Sequence, residues 1–380
     1  MDKRKKTPSR RRILGRRLGA LVVLTSLVVT VVLLAGGGGG GRSTSGSGHD
    51  TAASGSTEGT AGKHESLDNL APGSNPSVLP GPVLIADRDN NRVIEISPTG
   101  RLLWEFPRSG KLRPGESFRV PDDAFFAPGG RQVIVTQEDD FVVSVIDMAS
   151  DRIVYRYGHP GVSGSSANYL YNPDDALLMR GGQIFLADIK NCRLLVITPP
   201  AHHIVRQLGE TGLCIHQPPI GFASPNGWFP LRNGNTVVTE INGDWVDLLG
   251  PTGQLLSATN APGFTYPSDT NEVRRGVLLS ADYTNPGAIE TFTPSGRLLW
   301  RYAPSGSDAL NQPSLALPLP NGDVLANDDF NDRVIVVDPR TDRIVWQYGH
   351  THISGHQAGY LAKPDGVDLS SPYSLMNRFP

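Results

Sequence analysis

From about residue 82 onward, apolar and polar side chains alternate in short runs, and Gly, Pro, Asn or Asp separates one run from the next. Alternation with period two predicts strands lying half-buried on a sheet. The clearest stretch is 173–209. Residues 176–180 read as a short first strand turned by Gly181-Gly182, followed by strands over 183–188, 193–198 and 203–208. The same order of runs recurs at 83–87, 90–96 and 100–106, and again at 324–328, 331–337 and 343–348. A proline followed by a small polar residue opens the units: Pro121-Asp122, Pro173-Asp174, Pro225-Asn226, Pro267-Ser268, Pro313-Ser314 and Pro364-Asp365. These prolines lie 52, 52, 42, 46 and 51 residues apart. A period of ~40–50 residues marks a repeat whose unit cannot bury its own apolar face, and four short strands per unit make the blade of a β-propeller.

The unit count also shows how such a ring would close. Five complete blades run from 121 to about 360, whereas 82–107 supplies strands two to four of a blade with no first strand. Residues 364–369 supply a first strand with no blade behind it. The two pieces are expected to form a sixth, shared blade, which removes the open sheet edge. The predicted fold is all-β, a six-bladed propeller over 81–370, with a short tail at 371–380.

Charge changes the picture at the amino terminus. The net charge of −2 conceals nine Lys and Arg against Asp2 within residues 1–17, leaving 26 basic and 36 acidic side chains in the rest. An acidic body argues against a nucleic-acid partner, since phosphate neutralisation needs clustered Lys and Arg. Residues 18–35 carry no charged side chain, and a helix of that length at ~1.5 Å per residue just crosses a ~30 Å hydrocarbon core. The basic head at 1–17 is expected to stay in the cytoplasm and everything downstream to cross. An uncleaved signal-anchor is the favoured reading, because a secretory apolar core is usually only ~7–15 residues; a signal peptide clipped near Ala35 is the alternative. Residues 36–80 are rich in Gly, Ser, Thr and Ala and read as a flexible tether of about 35–40 Å r.m.s. span. The sequence thus predicts a single-pass cell-membrane protein with its propeller on the extracytoplasmic side.

The spacing Asp-x-x-Asn-x-Arg occurs at Asp87/Asn90/Arg92, Asp188/Asn191/Arg193 and Asp328/Asn331/Arg333, each time before an apolar strand. It resembles the NHL repeat. The strand ends at Trp104, Trp300 and Trp346 resemble the aromatic-ended repeats of pyrroloquinoline-quinone-type and arylsulfotransferase-like propellers. Such resemblance implies a propeller without choosing its chemistry, because the fold hosts scaffolds, binders, lyases and transferases alike.

Side chains entering first strands should face the central channel. The position after each proline holds Asp122, Asp174, Asn226, Ser268, Ser314 and Asp365, and the next holds Asp123, Asp175, Gly227, Asp269, Leu315 and Gly366. Carboxylates from several blades converging on one mouth suit Ca²⁺, which takes ~6–8 oxygen ligands. Asp123, Asp175 and Asp269 are the candidate ligands, as in propellers resembling gluconolactonases and paraoxonases. The plain counter-reading is that each Asp accepts backbone N–H bonds in its own turn. The acidic column Asp87, Asp188, Glu240, Asp282 and Asp328, with Gln137 in the sixth unit, reads as turn-stabilising, and Arg92, Arg193 and Arg333 as able to pair with its acids in exposed pairs that contribute only ~0–1 kcal/mol.

A longer motif occurs twice, at Tyr157-Gly158-His159 with Tyr169-Leu170 and at Tyr348-Gly349-His350 with Tyr360-Leu361. It is either a ligand rim bearing His159 and His350 or a packing loop inherited by two blades. A histidine nucleophile at His159 or His350 is what the arylsulfotransferase-like resemblance would imply. Cys192 and Cys214, both outside the cytoplasm on this topology, form a candidate disulfide. The leading functional expectation is a binding module for a protein, glycan or small ligand. The alternatives are a Ca²⁺-dependent hydrolase or lyase and an arylsulfotransferase-like transferase.

Overall fold

The computed structural model describes residues 69–378, and within them the alternating runs pair into six four-stranded sheets. Blade 1 is the shared one: the carboxy-terminal strand Pro364–Leu369 lies beside Val83–Asp87, followed by Arg92–Ile96 and Leu102–Phe106. Blades 2 to 6 span 124–158, 173–208, 225–260, 267–302 and 316–349. The closing register is antiparallel, running from Val83 opposite Leu369 to Asp87 opposite Pro364. It brings together segments nearly three hundred residues apart, so the six-bladed all-β ring closes as the sequence predicts.

The strand patterns explain the layering. Second and third strands of the blades are buried on nearly every residue, as in Arg333–Asp338, because each sheet is covered on both faces by its neighbours. Fourth strands face solvent on one side and keep the alternation, as in His203–Leu208. Between blades 1 and 2, Leu84, Val93 and Phe106 pack on Phe126, Val133 and Ile146. Each such fully buried side chain contributes ~1.5–3 kcal/mol. Fourth-strand tryptophans tie blades 1, 5 and 6 to the next: Trp104 and Trp300 donate to Asp151 and Asp342 at 2.9 Å, and Trp346 to the Pro98 carbonyl at 2.8 Å. The axis is filled rather than open: Phe125 of blade 2 and Phe229 of blade 4 meet edge to face at 6.0 Å. The expected tunnel is therefore a cup.

Two boundaries differ from expectation. The tether read as running to 80 is already docked from residue 69, where Ala71 and Asn75 donate to the Gln347 and Val345 carbonyls at the edge of blade 6 and Leu70 and Leu79 are buried. A Pro- and Ser-rich edge segment of this kind carries no apolar period to betray it. The tail after Leu369 also packs, with Leu375 and Met376 in the core and the Leu375 N–H on Asp368 Oδ1 at 2.9 Å. The basic head, the 18–35 span and most of the tether lie outside the described residues. Among the described residues no helix is long and apolar enough to cross a membrane.

Candidate functional site

The position of the prolines matters because a β-bulge follows them. In blade 3, Pro173 and Asp174 pair with Asp188 and Ala187, Asp175 is skipped, and pairing resumes at Ala176. Blades 4 and 5 skip Asn226-Gly227 and Ser268-Asp269 in the same way, and blade 1 skips Asp365. An extra residue in one strand bends it and re-aims a side chain. The first strand of blade 3 thus begins at Pro173, three residues earlier than its alternation suggests. The bulge's backbone donors are capped by the facing strand: Thr136 Oγ1 accepts from Asp123 N at 2.9 Å and Thr239 Oγ1 from Gly227 N at 3.2 Å.

The bulges deliver the acids to the axis. Oxygens of Asp122, Asp123 and Asp174 lie within 4.8 Å of one another, and so do those of Asp123, Asp175 and Asp269. All are buried. Asp123 Oδ1 and both oxygens of Asp175 accept from no N–H or hydroxyl group; they face other carboxyls, Asp174 beside Asp123 and Asp269 beside Asp175. Asn226 Nδ2 donates to Ser268 Oγ at 3.2 Å and to Asp269 Oδ1 at 3.4 Å. Room for these carboxylates comes from glycine. A Cβ on Gly227 would stand 2.8 Å from Asp175 Oδ2 and 2.9 Å from Asp269 Oδ1, and one on Gly366 only 2.6 Å from Asp123 Oδ1.

Burial, then mutual repulsion, pushes Asp123, Asp175 and Asp269 well above the usual carboxylate range. Burial likewise raises Asp174 to about 6. Above the acids lies a small polar cavity of about 80 Å³, room for two or three waters at ~30 Å³ each. Arg88 enters it and pairs with Asp122, with Asp365 at 3.1 Å, with Asp139 at 2.8 Å and with Glu138 at 3.2 Å. Desolvation opposes the arginine's charge, but Asp365, Glu138 and Asp139 more than offset it and hold its pKa above the ordinary value. Tyr266, Tyr283 and Lys363 complete the wall.

Arg88, Glu138 and Tyr283 escape the sequence reading by one position. They are the residues immediately after Asp87, Gln137 and Asp282, and Asp329 after Asp328 belongs with them, accepting from Asn327 Nδ2 at 2.5 Å. Column by column, the residue past each turn acid is the signal that would find them.

The turn acids themselves are fully matched. Asp188 Oδ1 accepts the Tyr171 N–H at 2.8 Å, and Oδ2 accepts Asn191 Nδ2 and Arg193 Nε, each at 2.8 Å. Asp87 and Asp328 repeat the arrangement with Ala362 N, Asn90 and Arg92, and with Asn311 N, Asn331 and Arg333. The arginines are not exposed as expected: Arg193 and Arg333 are 3% and 2% accessible. Their remaining N–H groups hold loop carbonyls, those of Ser165 and Tyr169 in one blade and Asp308 in the other.

His159 and His350 do not line the acidic cavity. Each packs on a tyrosine of its own loop, Tyr169 at 4.2 Å and Tyr360 at 4.1 Å, while Tyr157 and Tyr348 hydroxyls accept the Asn168 and Gly359 N–H. Spacing could not reveal this, because it does not encode which way a loop side chain turns. Cys192 and Cys214 are joined, with Cα atoms 5.2 Å apart.

No family model matches the sequence. No curated protein matches it either. Among solved structures, a protein of unknown function from Bacteroides caccae superposes with a TM-score of 0.54 at 15% identity, over 76% of this chain and 98% of its own. A streptogramin B lyase follows at 0.46 and 16%, over 64% and 72% of the two chains. Virginiamycin B lyase from Staphylococcus aureus follows at 0.43 and 17%, over 60% and 69%. The likeness to the Bacteroides caccae protein extends to the fold alone; by its own six four-stranded sheets the chain is a six-bladed β-propeller.

Proposed function

We propose that this chain is a binding module whose acidic cup holds a divalent cation, Ca²⁺ by its chemistry, through which the module engages an oxygen-bearing protein, glycan or small ligand. The observation that carries the reading is the set of buried oxygens on Asp123 and Asp175 that meet other carboxyls and no N–H or hydroxyl donor. Leaving a buried carboxylate without a partner is costly, and Arg88 lies with Asp122 and Asp365, not with Asp175. Every donor at the site is oxygen, the hard ligand that Ca²⁺ selects over softer metals. Asp123, Asp175 and Asp269 would hold the ion, with Asp174 and Asp122 beside them, and the bound ion would supply a positive centre for ligand oxygens. The tether and the 18–35 segment would present this cup at the outer face of a membrane.

The hydrolase or lyase alternative draws on Glu138, which burial and the neighbouring Asp174 raise to about 7 at the cavity edge, near the range of a general acid or base. A cation beside it would lower that value again, so the same ion that completes the site removes the poised acid. Binding is the better-supported role.

Calorimetric titration of the chelator-treated full-length protein with Ca²⁺ tests the proposal. One ion per chain is expected, with a melting temperature raised by roughly 4 °C at about 100 times Kd, and both effects absent in Asp175→Asn. Titration without heat and melting curves unmoved by Ca²⁺ would remove the cation from the account.

A further inference from the structure

Blade 4 departs from its neighbours at one turn. Where blades 1, 3 and 6 close it with Asp, Asn and Arg, blade 4 has Glu240, Gly243 and Trp245. The arginine is gone, yet a second acid is added two residues on: Asp247 stands where the others have Ile94, Leu195 and Ile335. Both carboxylates are 0% accessible. Glu240 Oε2 is fixed by the Ala223 N–H. Neither oxygen of Asp247 accepts from an N–H or hydroxyl group, and its polar neighbour is the Glu240 carboxyl. Among the described residues the one positively chargeable group facing them is His216, on the loop leaving blade 3, whose Nδ1 lies 3.1 Å from Glu240 Oε1 and 3.7 Å from Asp247 Oδ2. Trp245 stacks on the imidazole at 4.0 Å and 5° and holds its plane.

Two other blades show what these positions do when no ion is needed. In blade 2 the pair is neutral, Ser144 donating to Gln137 Oε1 at 2.9 Å. In blade 5, Glu290 replaces the serine and is matched by Arg301. Blade 4 alone, among the described residues at this turn, has two acids and no arginine.

From these contacts we infer that His216, Glu240 and Asp247 form a second metal site, distinct from the axial cup, for a borderline divalent ion of the Zn²⁺ type. One imidazole nitrogen and two carboxylates is a donor set such ions take. Ligand atoms 3.1 and 3.7 Å apart fit round a centre with bonds of ~2.0–2.2 Å. The side bearing His216, 22% accessible at its side chain, leaves a fourth position open to water or a ligand.

The test is Zn²⁺ titration of the chelator-treated full-length protein with Ca²⁺ present in excess, comparing the parent with His216→Ala and with Glu240→Gln/Asp247→Ser. The double variant copies the neutral pair of blade 2 and so tests the charge without opening a cavity. The parent should bind one Zn²⁺ more than the double variant. His216→Ala should weaken that ion by more than 100-fold, since even changes behind a ligand cost ~10–100-fold. Co²⁺ in place of Zn²⁺ should give the parent a visible absorption band that both variants lack. Equal Zn²⁺ stoichiometry and affinity in all three proteins would overturn the inference. No Zn²⁺ binding to the parent would do so too, leaving two carboxyls that share a proton. If the double variant fails to fold, the change at the partly exposed His216 decides the matter alone.

Discussion

In the turns of blades 1, 3 and 6, Asp87, Asp188 and Asp328 are buried with both oxygens matched, one by a loop N–H and the other by Asn and Arg. At the axis, Asp123, Asp175 and Asp269 are buried as deeply, but three of their oxygens face other carboxyls and no N–H or hydroxyl donor. The same residue type, repeated with the same period, serves two ends. Where the repeat brings its own counter-charge, the acid holds two loops to a strand. Where it brings several acids to one point and Arg88 reaches only Asp122 and Asp365 among them, the remaining oxygens are left to share protons or to take a cation from outside.

The sharpest way to break this comparison is to unmatch a matched acid. Arg193→Met should destabilise the protein by ~3–5 kcal/mol, because a buried carboxylate then loses its partner; denaturant unfolding measures it, and a loss below about 1 kcal/mol would show that the turn pairs are not what holds the loops. The converse change acts on an unmatched acid. Asp175→Asn should leave the chelated protein as stable as the parent or more so, while deleting the stabilisation by Ca²⁺ of about 2.7 kcal/mol at 100 times Kd. Melting curves with and without the ion separate the two terms.

A smaller effect comes from crowding the site without touching an acid. Gly227→Ala places a methyl against Asp175 and Asp269, an overpacking expected to cost ~1–3 kcal/mol and to weaken Ca²⁺ about tenfold in the same calorimeter. Wild-type affinity in this variant would mean that these two carboxylates do not share an ion.

The smallest is a pH effect. Burial raises Asp174 from 3.8 to about 6, so the folded chain holds that proton more tightly than the unfolded chain. The resulting stability is complete below about pH 4 and is lost as pH rises through about 6. In chelator, Asp174→Asn should therefore match the parent near pH 4 and exceed it increasingly toward pH 7. A gap that does not change with pH would contradict the shift.

Much of this was readable before any coordinates. Six prolines mark the six first strands, and in blades 1, 3, 4 and 5 pairing breaks into a bulge just after the proline, so the two residues that follow each proline are those to inspect at the axis. The orphaned strand 364–369 and the strandless segment 82–107 likewise had only each other to pair with. Arg88 was not legible in the same way. It follows Asp87, and only the short turn Arg88–Asn90 swings it inward to neutralise Asp122 and Asp365. His159 and His350 share the spacing of a rim but sit on Tyr169 and Tyr360, a stacking choice made by the loop rather than by the repeat. The site in blade 4 was hidden because Glu240 fits the acidic column, and its significance lies in the arginine that does not follow it.

The central claim is that the axial acids are unmatched because a cation matches them. Tyr266 and Tyr283 line the cavity, so a Tb³⁺ ion standing in for Ca²⁺ there should be lit by tyrosine excitation. The account predicts sensitised emission from the chelated parent that Ca²⁺ competes away. Asp123→Asn/Asp175→Asn should lose that emission, and Tyr266→Phe/Tyr283→Phe should lose most of it while still binding Ca²⁺. Emission of equal strength in the parent and the double aspartate variant would place the ion elsewhere and contradict the account.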